Sequence, residues 1–462
     1  MALRTPTFVV IGGGISGLVG ARTLRRARPE ARIVLLESDE RLGGKIRTET
    51  IDGVRFEAGA DSFLTRDTFL LELCGELGLA DDLIPPAIFG AEIATGGRRH
   101  RMGGDYFLGV PASPRAILTS SVLSTAGKIR ALGDLFLPGP LTGPDVAIGD
   151  FVARRFGHET LDRLVDPILA GTRAGDPRRI SLAAAAPALD RIARSGRSVT
   201  LALRKERNRA SSDVAAPVFV GLRDGMSTLV DALVADLVSV ELRTSGPVRV
   251  LALDGGRAIV KTDTDDVEAD GVLVTVPAHV AGGLMVSVAP EASRELSSIR
   301  YATVVSIAFV FDAGLIDLPP GASGLLIPSS EDKTLAAGTW FSAKWPHAAD
   351  PGGRVLVRCF VGRAAGDVGD AASDADLVER VLADLREVMG WNQRPAHQAV
   401  TRWEPGLPQY EVGHREKVKR IEAAVARAGP IRVAGAGLRG SGLPDCARSA
   451  AEAATALARS FR

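Results

Sequence analysis

At 462 residues the chain exceeds the length at which one hydrophobic core keeps growing, so two or three domains are expected; 46% hydrophobic and 24% charged residues are ordinary globular proportions. The 56 Lys and Arg against 55 Asp and Glu leave a net charge of +1, which gives no electrostatic ground for a nucleic-acid partner. Three scattered cysteines (Cys74, Cys359, Cys446) without a CxxC pair, and six scattered histidines, argue against a disulfide framework and a metal site and suit a reducing compartment.

The first predicted element is the short apolar run Phe8-Val9-Val10-Ile11, bounded by glycines as a buried parallel strand requires. It is too short for a signal-peptide core, and no apolar run is long enough to span a bilayer, so a cytoplasmic location is expected. Gly17–Arg28 reads as a helix, with Leu18, Ala21 and Leu24 at helical spacing, and Arg32–Glu37 as a second buried strand. Residues 111–180 read as mostly helical with Pro/Gly breaks. Within them Arg115–Leu137 mixes apolar residues with Arg and Lys, as an amphipathic helix pair does. A helical cap over a cavity is the preferred reading of that pair, and weak peripheral contact with the inner face of the cell membrane is the other.

Strand chemistry returns at Pro247–Leu253, Ala258–Thr262 and Gly271–Val276, the first two joined by the turn Asp254-Gly255-Gly256. Residues 301–361 read as long strands. Near the C-terminus Ile431–Ala434 is a short strand, followed by a glycine-rich turn and an alanine-rich helix from Cys446 to Phe461. The first domain is therefore discontinuous, assembled from three parts with other domains inserted. Leu137-Pro138-Gly139-Pro140 and Arg194–Ser212 read as mobile connections.

The chemistry begins with Gly12-Gly13-Gly14-Ile15-Ser16-Gly17, a GxGxxG between a strand and a helix. Gly12 permits the tight turn, Gly14 lets backbone approach a pyrophosphate, and Gly17 allows close helix–strand packing. The helix N-terminus adds free N–H groups and positive partial charge. Glu37 ends the second strand about 20 residues on, where an acid accepts hydrogen bonds from ribose hydroxyls. Together these predict a Rossmann-type dinucleotide fold.

A second glycine pair follows in Ser38-Asp39-Glu40-Arg41-Leu42-Gly43-Gly44-Lys45. It resembles the GG signature of the large two-domain flavoproteins, which include amine oxidases, phytoene desaturases and porphyrinogen oxidases. That resemblance implies FAD rather than NAD, with the pair lying along the cofactor and Ser38 and Lys45 beside it. By the same resemblance the segment Phe56-Glu57-Ala58-Gly59-Ala60-Asp61-Ser62-Phe63-Leu64 passes close to the isoalloxazine ring, with Gly59, Ala60, Asp61 and Ser62 nearest. Val248 is likewise carried over as a cofactor contact. No residue matches a flavin-attachment signature, so the FAD is expected to be non-covalent.

From here the resemblance narrows to the bacterial porphyrinogen oxidases of the haem pathway and covers most of the chain. It rests on Leu164-Val165-Asp166-Pro167-Ile168-Leu169-Ala170-Gly171 with Ala174-Gly175-Asp176, and on Phe341-Ser342-Ala343-Lys344-Trp345-Pro346-His347. It rests also on Arg402-Trp403 with Leu407-Pro408-Gln409-Tyr410-Glu411-Val412-Gly413-His414, and on Gly435-Ala436-Gly437 with Arg439-Gly440-Ser441-Gly442-Leu443-Pro444-Asp445-Cys446. The last motif closes the FAD site, so Ser441, Gly442 and Leu443 are expected at the flavin or pyrophosphate oxygens. Trp403 and Tyr410 are expected to shield the ring. His414 is expected to be structural and Cys446 to be packing rather than a reactive thiol. The pattern is broken at Thr172-Arg173, where relatives carry an aliphatic residue and Tyr, at Asp224-Gly225 before Met226, and at Ser449-Ala450.

The fold class implied is α/β and α+β: a discontinuous Rossmann-type FAD-binding domain (1–75, 217–290, 400–462), an inserted mixed β-sheet substrate domain (76–92, 178–216, 291–399) and a mainly helical domain (93–177). The activity implied is oxidation of a porphyrinogen in three two-electron steps, with O2 reoxidising the flavin to give hydrogen peroxide. Coproporphyrinogen III is the favoured substrate if the Arg-, Ala- and Gly-rich usage marks a Gram-positive, GC-rich genome. Protoporphyrinogen IX is the alternative, followed by an amine oxidase-like enzyme or a catalytically silent flavin-binding paralogue. Arg173, Lys344 and Arg363 are the candidate cations for substrate carboxylates, with Asp176 the alternative partner of Arg173. No general base is assigned, and monomer and homodimer both stay open.

Overall fold

The computed structural model describes residues 5–137, 141, 143–196, 198–210, 217–363 and 372–461. A five-stranded parallel sheet organises the first domain. Its strands run in the order Glu241–Arg243, β2 (Arg32–Leu36), β1 (Thr7–Ile11), Gly271–Val274, Ile431–Val433. Both faces are covered, which is why β1 reads as an unbroken apolar run. Phe8 and Val10 pack into one buried cluster with helix α1 (Ile15–Ala27) and the C-terminal helix Leu443–Arg459. Val9 and Ile11 pack into another on the opposite face. Ala450, the departure noted in the last helix, is buried and packs against Gly20 of α1.

Of the three central strands expected, Gly271–Val274 alone joins the parallel sheet. Val250–Asp254 and Arg257–Lys261 form a separate antiparallel sheet with Asp266–Ala269. The tight Gly255-Gly256 turn folds the first two onto each other, which prevents a parallel crossover. Helix α1 starts two residues before its expected start, and the C-terminal helix three before.

The second sheet has seven strands, in the order His397–Pro408, Tyr301–Phe311, Val355–Val361, Leu335–Thr339, Gly324–Leu326, Glu92–Thr95, Arg98–Arg101. It is mixed: Gly324–Leu326 and Glu92–Thr95 pair in parallel and the other pairs are antiparallel. The stretch expected as long strands is interrupted by a helical turn at Phe341–Lys344. One face, through Ala308, Val310 and Leu356, packs on Val54, Phe56 and Ala58 of the first domain. This contact sets the site.

A helical region with its own buried cluster lies against the strands Leu335–Thr339, Gly324–Leu326 and Glu92–Thr95. The expected amphipathic pair is there as Pro114–Thr119 and Thr125–Leu132, each capped by a serine hydroxyl. Ile129 is 68% and Phe136 82% exposed. Of the two expected mobile connections, Pro138–Pro140, Arg197 and residues 211–212 lie outside the described residues. The remainder of the second is anchored instead. Helix Val199–Ala210 is tied through Ser198 Oγ (2.7 Å) and Thr200 N (2.9 Å) to Asp134, a buried carboxylate ion-paired with Arg155 at 2.9 Å.

Candidate cofactor site

The two glycine motifs, 26 residues apart in sequence, lie against each other. Gly43 N donates to Gly13 O (2.8 Å), Gly14 and Gly43 form a parallel bridge, and a Cβ on Gly44 would sit 3.2 Å from Gly14 Cα. Gly12 has φ +105°, which an L side chain rarely adopts, and a Cβ on Gly17 would lie 1.7 Å from Gly12 O. Gly14 differs: a Cβ there would meet nothing nearer than 4.0 Å, so this glycine keeps space free rather than avoiding a clash within the fold. Glu37 reaches the same turn, its Oε2 accepting from Gly13 N at 2.5 Å and its Oε1 from Ser38 Oγ and Asp39 N. Ile15 and Ser16 are buried, and Ser16 Oγ donates to Cys446 O at 3.2 Å, joining the first turn to the C-terminal helix.

Two residues not singled out as cofactor contacts hold these loops. Thr275 Oγ1 bonds Ile11 O (2.8 Å) and Gly12 O (3.1 Å), fixing the strand end from which the glycine turn departs. Arg41 wraps the second loop, donating to the carbonyls of Leu42, Gly44 and Ile46. A strand-end hydroxyl and an arginine inside a charged run carry no sequence signal of their own. Lys45 lies beside this loop, and burial of its amine lowers its pKa.

The strip Ala58–Ser62 connects the cofactor loops to the second sheet. Among the described residues, no acceptor is found for the backbone N–H groups of Gly59, Ala60, Asp61 and Ser62. Its underside, by contrast, is densely bonded. Trp403 Nε1 donates to Ala58 O (3.1 Å), and Arg358 Nη2 to Gly59 O (2.8 Å), Ala58 O and Ser306 Oγ (both 3.4 Å). Lys344 Nζ (2.7 Å) and Trp345 Nε1 (3.3 Å) both reach Asp61 Oδ2. Burial pushes the Asp61 carboxyl up, but Lys344 and Arg358 outweigh it and hold it well below the usual carboxylate range. Glu57, which accepts from Met226 N and Thr48 Oγ1, is raised by burial.

On the closing side, Gly442 caps the C-terminal helix and Ser441 precedes it. Tyr410 does not face a ring site: its hydroxyl donates to Ala436 O and its ring stacks on His414 at 4.2 Å. Both are buried, and His414 Nε2 meets Leu438 O at 2.8 Å, so the pair pins the turn 436–438. His414 is therefore structural, as expected, and Tyr410 shares that role instead of the shielding one. Burial pushes the Cys446 thiol up to about 12, which fits packing rather than thiolate chemistry.

The three cations expected at substrate carboxylates fare differently. Arg173 does not pair with Asp176; its Nη1 lies 3.5 Å from Ser441 Oγ and its Nη2 3.3 Å from Ala185 O. Asp176 instead accepts from Arg178 N. Lys344 is bound to Asp61, so its charge is neutralised on the strip. Arg363 donates to Ile327 O at 2.8 Å, with a buried Nη1 that has no partner among the described residues. Val248 lies ahead of the strand that starts at Val250 and packs at the edge of the second cluster of the parallel sheet. No group of three or more metal-ligating side chains occurs among the described residues.

Amides without an acceptor among the described residues, a glycine that leaves open space, and a C-terminal helix start tied to the glycine turn through Ser16 and Cys446 fit an acceptor-rich dinucleotide with a flat ring system. Residues 15–458 match the family of flavin-containing amine oxidoreductases. A coproporphyrinogen III oxidase of Bacillus subtilis is 33% identical over 95% of each chain, and one of Staphylococcus aureus is 30% identical over 96% of this chain and 97% of its own. The crystal structure of a protein described as a putative protoporphyrinogen oxidase from Exiguobacterium superposes with a TM-score of 0.89 at 29% identity, covering 99% of this chain and all of the other. The chain belongs to the flavin-containing amine oxidoreductases and, within them, to the group of the coproporphyrinogen III oxidases.

Proposed function

We propose that the protein binds FAD non-covalently and oxidises coproporphyrinogen III to coproporphyrin III with O2 as the acceptor, releasing hydrogen peroxide, in haem biosynthesis. The observation that carries the reading is the contact of the two glycine loops, Gly43 N donating to Gly13 O beside the clear space at Gly14, in a chain that resembles coproporphyrinogen III oxidases over its whole length. When bound, the flavin supplies the hydride and electron transfer. The chain binds, orients and shields. Gly12–Gly17, Glu37, Ser38 and Gly43–Lys45 take the adenosine and pyrophosphate end, with Val248. Gly59–Ser62, Trp403 and Ser441–Leu443 take the ring end.

Arg173 is the cation assigned to a substrate carboxylate. It has no carboxylate within ion-pair distance among the described residues and lies beside Ser441. Arg363, with an unpartnered Nη1, is the second candidate and Lys344 the third, because Asp61 already holds it. The proposal keeps three domains but moves their bounds: Glu92–Thr95, Arg98–Arg101 and the whole of His397–Pro408 are strands of the mixed sheet, and Leu182, Leu189, Val199 and Leu203 pack in the helical cluster rather than on that sheet. It also keeps a cytoplasmic location. No described helix is long and apolar enough to cross a membrane, and exposed Ile129 and Phe136 support weak peripheral contact.

Protoporphyrinogen IX is the second reading, favoured by the description of the Exiguobacterium protein. Anaerobic mixing of the yellow protein with each porphyrinogen separates the two. Coproporphyrinogen III is expected to bleach the flavin faster, with porphyrin fluorescence above the autoxidation control once air is admitted. A flavin that stays oxidised with both substrates overturns the assignment.

A further inference from the structure

The most deeply buried cation of the second sheet is Arg358, 1% exposed, in the middle of the strand Val355–Val361. Burying a guanidinium is expensive, and a fully compensated one has its donors paired with carboxylates. Arg358 is not compensated in that way. Asp61 and Glu57 are the carboxylates that act on its charge, yet among the described residues neither forms an ion pair with it and its buried Nε has no partner. Its hydrogen bonds go instead to two consecutive main-chain carbonyls, Ala58 O and Gly59 O, and to Ser306 Oγ.

Those two carbonyls belong to the strip whose next four N–H groups have no acceptor among the described residues. A peptide plane carries its C=O and N–H on opposite edges, so holding the carbonyl of residue 59 fixes where the N–H of residue 60 points. Trp403 grips Ala58 O from the neighbouring side of the sheet at 3.1 Å, and Lys344 and Trp345 hold the Asp61 side chain. All four side chains come from the second sheet or the helical turn joined to it. Gly59 itself cannot carry a side chain, because a Cβ would sit 1.9 Å from Lys45 O, so the strip is pressed between the cofactor loop and the sheet.

We propose that Arg358 is a positioning residue for the flavin: from within the substrate sheet it locks the peptide planes of 58–60, so that the free amides of 59–62 converge on the ring. This rests on the flavin site proposed above. It links the sheet that would contact substrate to the cofactor's polar edge through one guanidinium. Trp403 contributes the smaller part of the same lock.

The test compares wild type with Arg358→Met, Arg358→Lys and Trp403→Phe by titrating the stripped protein with FAD, following flavin absorbance and fluorescence, and then measuring the midpoint potential of each loaded protein. Arg358→Met is expected to weaken FAD binding at least tenfold, to alter the fine structure of the flavin spectrum and to lower the potential. Arg358→Lys, which keeps the charge but not the forked reach, should restore the potential but not the spectrum or the affinity. Trp403→Phe, which deletes a single N–H and leaves the buried charge in place, should weaken binding about threefold and stays informative if Arg358→Met does not fold. Affinity, spectrum and potential all unchanged in Arg358→Lys and Trp403→Phe would overturn the proposal while wild type still binds FAD. A wild type that binds no FAD would instead overturn the flavin reading beneath it.

Discussion

The upper and lower sides of the strip 58–62 are built by opposite means. Above it, toward the glycine loops, the site is main chain: Gly12, Gly14, Gly43 and Gly44 shape it by what they lack, and its donors are peptide N–H groups. The strip's carbonyls and the Asp61 side chain are held instead by Arg358, Trp403, Lys344 and Trp345, long side chains from a different sheet and the turn joined to it. A surface made of backbone tolerates no Cβ in certain places and demands nothing elsewhere. A side-chain lattice tolerates changes in shape poorly, because each donor removed leaves a buried acceptor or charge behind. The two sides should therefore fail differently when mutated.

Gly17→Ala should have the largest effect on the fold. Its Cβ would fall 1.7 Å from the Gly12 carbonyl oxygen, a backbone atom that cannot step aside without moving α1 off β1. A loss on the order of 3 kcal/mol is expected. Gly14→Ala, three residues away with 4.0 Å of clearance and φ −72°, should change stability by less than about 0.5 kcal/mol. It should nonetheless abolish tight flavin binding, because the methyl group enters the space a pyrophosphate needs. Urea unfolding and FAD titration of the two stripped variants check the pair. Equal stability losses would show that Gly14 is structural after all.

Lys344→Met tests the underside. Lys344 and Asp61 are both mostly shielded, and removing the amine strands a carboxylate beside the strip, so about 2 kcal/mol should be lost at neutral pH. The pH dependence has a definite sign. The folded-state pKa of Asp61 lies below its unfolded value, so the pair's contribution is fully present above about pH 4 and is lost as the pH falls through the lower folded-state value. The stability gap between wild type and Lys344→Met should narrow as unfolding is measured at successively lower pH. A gap independent of pH would mean that the lysine acts through packing.

What was legible in the sequence follows the same division. Gly12–Gly17 could be read because a backbone site depends on glycine spacing, which is a local property of the chain, whereas Gly43–Gly44 and the strip 56–64 are reached only through the family resemblance. Thr275, Arg41 and Arg358 could not. Each acts on main chain that is remote in sequence or inside a loop whose path is set only by folding, and each residue type is commonplace where it stands. Tyr410 was read as a ring shield because an aromatic residue in a cofactor motif looks the same whether it faces the ligand or stacks on His414. The separate sheet at Val250–Ala269 was hidden for a related reason: apolar alternation identifies strands but not which sheet they join.

Arg173 belongs to neither side, and its substitution should disturb the fold little. Its two hydrogen bonds, at 3.5 and 3.3 Å, are long and go to neutral oxygens. Arg173→Gln should therefore cost less than about 1 kcal/mol, unlike the loss of a donor from the underside lattice. Its consequence should appear in ligand binding instead, followed by fluorescence as the loaded protein is titrated with coproporphyrin III and with protoporphyrin IX. The two products share two carboxylates, and the first carries two more. Weakening of both by about tenfold would place Arg173 at a shared carboxylate, while weakening of coproporphyrin III alone would make it the residue that tells the substrates apart. A variant that binds both as wild type does, yet unfolds several kcal/mol earlier, would instead make Arg173 a structural tie between the helical region and the Ser441 turn, and so part of the side-chain lattice.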